Sequence, residues 1–196
     1  MRKRKKWLNK MSDVILFNSG SKKCKTLSNF CDVSFVMDGN TFKTGEHAFH
    51  FHKYSIASVA AILTNNDAIR ANQLKNYAET FVGDEYKTGV EAKKAGGKKG
   101  LKLLESEIIA WNDMSWDIQK KICISRIRGN NDLLTLLCET KGKYLLHQDN
   151  RAKPNTIWGG KISKTEPNVV VGKNFLGKLW MEVRDEMCKS IEEIET

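Results

Sequence analysis

Glu46, Phe49, His50 and Lys53 stand at positions i, i+3, i+4 and i+7 of one stretch. On an α-helix such positions share a face. A carboxylate with an aromatic ring, an imidazole and an ammonium along that face can line a pocket. The bland alternative is an acid at a helix start that complements the helix dipole. Spacing alone favours that second reading.

Other chemistry is thinner. His47, His50 and His52 cluster, with His147 far along the chain. His47 and His52 are five apart, not the four of a zinc-binding helix pair, so packed or exposed imidazoles are expected and a metal is not. Gly96-Gly97-Lys98-Lys99-Gly100 lacks phosphate-loop spacing, no dinucleotide fingerprint follows a strand, and no nucleophile elbow is present. Neither a metal nor another cofactor is therefore expected. Among five tryptophans, Trp180 belongs to an apolar stripe, Trp111 and Trp116 flank an expected helix boundary, and Trp158 precedes Gly159-Gly160 in a loop. A flat ring in a glycine-flanked loop suits stacking on a base.

The elements that must position these residues can be read in order. Val14 to Phe17 forms a short strand, and Ser34 to Lys43 a tight hairpin turning at Asp38-Gly39. Thr44 caps a helix running to about Thr64, with Phe49, Ile56, Val59, Ala60 and Leu63 on its apolar side. Further helices are expected over 67–79, 90–95 and from Leu101 onward. Asn112, Asp113 and Ser115 predict a break in the last of these, Gly129 stops it, and Asn131 caps a helix over 132–138. Tyr144 to His147 reads as a strand and 151–173 as loop. Leu176, Leu179, Trp180, Val183, Met187 and Ile191 mark a buried stripe on the final helix. The fold class expected is mainly α (α+β), with a small antiparallel β element near the start.

The 196 residues, 40% hydrophobic and 29% charged, suit one ordinary globular domain over residues 13–196. Six of the ten net positive charges sit in residues 1–12, a basic leader read either as a solvated arm or as a phosphate tether. No apolar run could cross a bilayer, and the basic start lacks the apolar stretch of a signal peptide. A cytoplasmic location without a membrane partner is expected. Five scattered cysteines without a C-x-x-C pair predict reduced thiols.

Taken together, ordered segments resemble the NADAR (YbiA-like) family. Leu27-Ser28-Asn29-Phe30 resembles its L-S-N-F entry. Asp38-Gly39, Phe42, Thr44 and Glu46-His47 resemble its turn-and-E-H element, with Lys53 at its lysine. Glu91 to Gly96, Trp111, Leu136-Leu137 with Thr140, Trp158-Gly159, Gly172 to Gly177 and Met181 to Arg184 follow in family order. Three departures stand out: a longer stretch between Lys53 and Trp111, Gly96-Gly97-Lys98 where Gly-Arg is expected, and Gly160 where some relatives carry an aspartate after W-G. Asp149 or Glu166 could supply that acid, and Trp116 competes with Trp111 for the tryptophan position.

The resemblance implies an orthogonal helical domain that hydrolyses an N-glycosidic bond without metal. It implies Glu46 as the catalytic acid group, and Asn29, Phe30, Lys53, Trp111, Trp158, Asn174 and Arg184 as substrate-binding residues. The substrate it implies is ADP-ribosylated guanine, most naturally in DNA held through the basic segments. Two alternatives are a small-metabolite glycosidase acting on ribosylamino-pyrimidine phosphates of riboflavin synthesis and a non-catalytic ADP-ribose or nucleic-acid binding module.

Overall fold

The structure is a computed structural model that describes residues 13–166 and 168–194, with side chains as far as Cys188. The basic leader lies outside the described residues. The chain divides into two compact units. One is drawn from both ends of the chain, up to Ser28 and from Asn130 onward; the other is Asn29–Gly129.

The Asn29–Gly129 unit begins with the antiparallel hairpin of β2 (Phe35–Met37) and β3 (Asn40–Phe42). Asp38 and Gly39 both take positive φ, 50° and 80°, as a two-residue turn matched to strand twist requires. Helix α1 (Gly45–Asn65) follows, capped by the Thr44 side chain, which accepts from the His47 N–H. Helix α2 (Ala68–Glu79) starts at Asp67, whose side chain accepts from Arg70 N–H. α3 (Gly89–Gly96) starts at Thr88 in the same way, and α4 (Glu105–Arg128) completes the unit.

On α1, Tyr54, Ala57 and Ala61 are buried against Ala71, Leu74, Ala78, Phe81 and Ala92. Of the stripe expected from the sequence, Phe49 and Ala60 are buried, but Val59 is 57% and Leu63 79% exposed. Alanines let α1 and α2 approach closely, and that close approach selects the buried face over the larger aliphatics. The expected break near 112–115 is also absent. Asn112 and Asp113 are exposed, and Ser115 Oγ donates to the Asn112 carbonyl within an unbroken helix. The flanking Trp111 and Ile118 are buried, and their packing outweighs the local capping tendency. α4 begins at Glu105 rather than Leu101, with Glu107 accepting from the Leu104 N–H.

In the other unit, β1 (Val14–Phe17) pairs in parallel with β4 (Tyr144–His147). α5 (Asn131–Glu139) is capped by Asn130, one residue earlier than expected. A short antiparallel pair, β5 (Lys161–Ile162) and β6 (Val170–Val171), stiffens the segment read as loop. In α6 (Phe175–Ile194), Leu176, Leu179, Trp180 and Val183 are buried, and Trp180 Nε1 donates to the Leu27 carbonyl at 2.7 Å.

Cys138 and Cys188 are joined by a disulfide that ties α5 to α6, while Cys24, Cys31 and Cys123 are free thiols. This overturns the expectation of reduced thiols throughout. The two cysteines lie 50 residues apart, a separation that carries no local signature. Closing a loop of that length stabilises a fold by about 2–4 kcal/mol. Alkylation of the denatured, unreduced protein is expected to label only the three free cysteines. Reductant should then lower the urea midpoint. Five labelled cysteines without reductant would contradict the bond.

Candidate functional site

The first turn of α1 carries Glu46, and three neighbours fix where it sits. Its backbone N–H donates to the Asn29 carbonyl at 3.0 Å. Asn29 is locked by Gln119 of α4 through a reciprocal amide pair of 2.8 and 3.1 Å. Gly45 makes this approach possible, because a Cβ there would lie 2.6 Å from Asn29 Oδ1. Asn29 was expected to meet substrate; in the structure its side-chain amide is engaged by Gln119 and its carbonyl holds the Glu46 backbone.

Glu46 is 5% exposed. Its Oε2 lies 3.4 Å from His50 Nε2 and 3.5 Å from Lys93 Nζ. These are ion-pair separations without hydrogen-bond geometry, so Oε2 and both His50 nitrogens have no hydrogen-bond partner among the described residues. Burial alone would push the Glu46 carboxyl up; His50 and Lys93 outweigh it and hold the group below the usual carboxylate range. His50 moves down as well, because burial opposes its charge more than Glu46 favours it. The arrangement is an ionised acid beside a neutral imidazole.

Gly96, at the end of α3, lies against the His50 ring, where a Cβ would come within 2.0 Å of Cγ. Phe49 and Phe81 pack on the same ring at 5.5 and 5.7 Å. Lys53 Nζ donates to the Gly96 carbonyl at 2.8 Å, and burial, with Lys93 nearby, pushes its ammonium down. Lys93 sits 5.8 Å from the centre of the Phe30 ring.

Beside this cluster runs a cleft of about 390 Å³, lined by Lys53, Lys98, Leu101, Lys102, Ile108 and Trp111 among others. Glu46 is not in its lining. Phe49 joins the two, standing edge-on to Trp111 at 4.8 Å and to His50. Between the two competing tryptophans, Trp111 lines this cleft and Trp116 does not. A larger hollow of about 550 Å³ runs along Gln73, Asn76, Tyr77, Thr80 and Lys99 and holds none of the residues anticipated from the sequence. Three lysines with an indole and aliphatic walls suit a ligand that carries phosphate at one end and a flat ring at the other.

The structure thus gathers Glu46, Phe30, Lys53 and Trp111 in the Asn29–Gly129 unit, with Asn29 behind them. Trp158, Asn174 and Arg184 belong to the other unit. There Asn174, at φ 51°, donates to the Leu145 carbonyl and accepts from the His147 N–H. Arg184 donates to the Thr140 and Lys143 carbonyls. Both are buried and employed in holding β4 and α5 to α6. The Trp158 ring meets Phe175 edge-on at 6.1 Å. No side chain fits at Gly160 as the segment stands, because a Cβ would lie 2.9 Å from the Val171 carbonyl. Asp149 donates its N–H to the Gly160 carbonyl and is the acid beside that glycine, whereas Glu166 sits in the β5–β6 turn.

Sequence reasoning missed Lys93, Gly96 and Gln119. Lys93 and Gly96 come from α3 and Gln119 from α4; the two α3 residues lie in the family-like Glu91–Gly96 segment, while Gln119 carried no signal. The α1 histidines are divided among separate tasks. His47 bridges Thr44 and the Tyr86 carbonyl, and His52 bridges the Ala48 carbonyl and Asp38. Among the described residues, no group of three or more His, Cys, Asp or Glu is placed to hold a metal, and no helix is long and apolar enough to cross a membrane.

The family model described as the NADAR domain matches residues 16–188. The NMR structure of the E. coli protein YbiA superposes with a TM-score of 0.65 at 23% identity, covering 93% of this chain and 88% of that one. That likeness shows the fold. No match was found among the curated proteins.

Proposed function

The chain belongs to the NADAR family, whose members are N-glycosidase-type hydrolases, and on that premise we propose that it removes ADP-ribose from the amino group of guanine in nucleic acid. The observation that carries this reading is the buried Glu46, with His50 and Lys93 facing its Oε2 at 3.4 and 3.5 Å, next to a lysine-lined cleft walled by Trp111. Breaking the ribosyl C–N bond builds positive charge on the sugar carbon. A carboxylate already ionised and fixed from its backbone stabilises that charge and takes the proton of the attacking water. Oε2 faces His50 and Lys93, so Oε1 is assigned to the water. Trp111 stacks on a ring of the substrate, and Lys53, Lys98 and Lys102 face its phosphates.

Lys93, Lys94, Lys98, Lys99 and Lys102 fall within ten residues, a density suited to a nucleic-acid backbone. The modified guanine must leave its stack or lie in a single strand to enter the cleft.

The test is incubation with a guanine-ADP-ribosylated oligonucleotide, followed by mass spectrometry for free ADP-ribose and restored guanine. Release that slows steeply with added salt is expected. Hydrolysis of a ribosylamino-pyrimidine phosphate, with the oligonucleotide untouched, would transfer the assignment to a metabolite glycosidase. Tight ADP-ribose binding without turnover of either substrate would make the protein a binding module.

A further inference from the structure

We propose that His50 is the positioning residue of Glu46: its neutral imidazole holds the polar Nε2 edge 3.4 Å from Oε2 and, with Lys93, keeps the carboxylate available as a base. The inference rests on the hydrolase reading for its catalytic meaning and on the following geometry for its substance.

His50 lies one helical turn beyond Glu46, and its Nε2 is 3.4 Å from Oε2. Both side chains are about nineteen-twentieths buried. A carboxylate removed from water to that degree is unfavourable unless donors face it. The groups able to face it are few. On α1 they are His50 and, on its other side, His47, which is already bonded to Thr44 and Tyr86. From α3 comes Lys93, with a half-exposed side chain. Lys53 is turned to the Gly96 carbonyl, Gln119 of α4 is paired with Asn29, and Phe81 beyond α2 offers no polar atom.

The ring is clamped. Gly96 leaves no room on one side, and Phe49 and Phe81 close others. It cannot swing toward a ligand in the cleft, so His50 acts through Glu46 and not on substrate. Its neutrality has a consequence. A neutral donor steadies the anion without cancelling its charge, whereas an imidazolium would form a tight pair and blunt its basicity. Burial, which lowers the proton affinity of His50, maintains that state at neutral pH.

His50→Leu removes the polar ring edge and leaves the burial. The Glu46 carboxyl then rises toward and beyond the ordinary carboxylate range. His50→Gln retains a neutral N–H donor and should restore the parent behaviour. Two readouts test this on the full chain. One is the carbon-13 shift of the Glu46 carboxyl titrated by NMR, which needs no substrate. The other is the acid limb of the kcat/KM profile, expected to move to higher pH in His50→Leu, with KM little changed and most activity recovered in alkaline buffer.

Coincident Glu46 titrations in the parent, Leu and Gln proteins would overturn the pairing whatever the activity. A moved titration in a protein that hydrolyses none of the substrates would overturn the proposed function and leave the pairing standing. Nitrogen-15 shifts of His50 in the unaltered protein give a measurement independent of how the variants fold. A neutral ring with its proton on Nε2 at neutral pH is expected, and an imidazolium there would overturn the inference.

Discussion

Glu46→Gln is expected to abolish release of ADP-ribose, lowering kcat by roughly 10³-fold or more while the protein stays folded. Removing a positioned base costs about 10²–10⁴ in rate, and losing the charge that faces the sugar cation adds to it. The amide has the same shape as the acid. The backbone bond to Asn29, the Thr44 cap and the Asn29–Gln119 pair do not involve the Glu46 side chain, so the helix start survives. Because His50 and Lys93 outweigh burial and hold the folded carboxyl below its ordinary value, the ionised acid adds stability, and the melting temperature should fall modestly.

The pH dependence follows from the same group. Its folded-state carboxyl lies below the ordinary range, so the active anion is present at and above that range and is lost as pH falls through the lowered value. A variant that turned over like the parent would remove Glu46 from the mechanism. One that unfolded would show instead that the charge supports the fold.

The largest effect on stability is expected from Arg70→Met. Arg70 of α2 grips Glu107 of α4 through two parallel bonds, Nε to Oε1 and Nη2 to Oε2, each 2.9 Å. Glu107 is fully buried, and the Arg70 side chain is 15% exposed. Breaking such a pair from one side strands a charge, which costs about 3–5 kcal/mol. Burial would push the Glu107 carboxyl up; Arg70 and the Leu104 N–H outweigh it and hold it down. In the intact protein the ionised acid therefore adds stability above the ordinary carboxylate range. That stability is lost as pH drops through the folded value.

In Arg70→Met burial is no longer opposed by a cation, and the sign reverses. The folded carboxyl rises above its unfolded value, and the variant recovers stability on acidification. Urea melts at neutral pH and near about pH 4 should show a deficit that shrinks with acid. A deficit independent of pH would mean that lost packing, and not the stranded charge, sets the cost.

Much of the local architecture was legible because it depends on neighbouring residues. Asp38-Gly39 sets a turn, Thr44 caps α1, and Gly129 follows the end of α4, each through bonds or backbone angles a few residues wide. The face that carries Glu46, Phe49, His50 and Lys53 was legible for the same reason. Errors came where packing competes with a local signal. The cap-competent Asn112 and Asp113 stay helical, and α1 buries its alanines in preference to Val59 and Leu63.

Other features depend on residues far apart in the chain. The parallel pairing of Val14–Phe17 with Tyr144–His147 and the Cys138–Cys188 bond both join distant segments. So do the Arg70–Glu107 grip and the engagement of Asn29 by Gln119. From its order of residue types, this chain declares its helices, its hairpin and the acid at the head of α1. Whether that acid is ionised, which lysine and which ring face it, and which tryptophan lines the cleft were decided only on folding. Charge and access depend on what other helices bring within a few ångströms, and no local pattern encodes that distance.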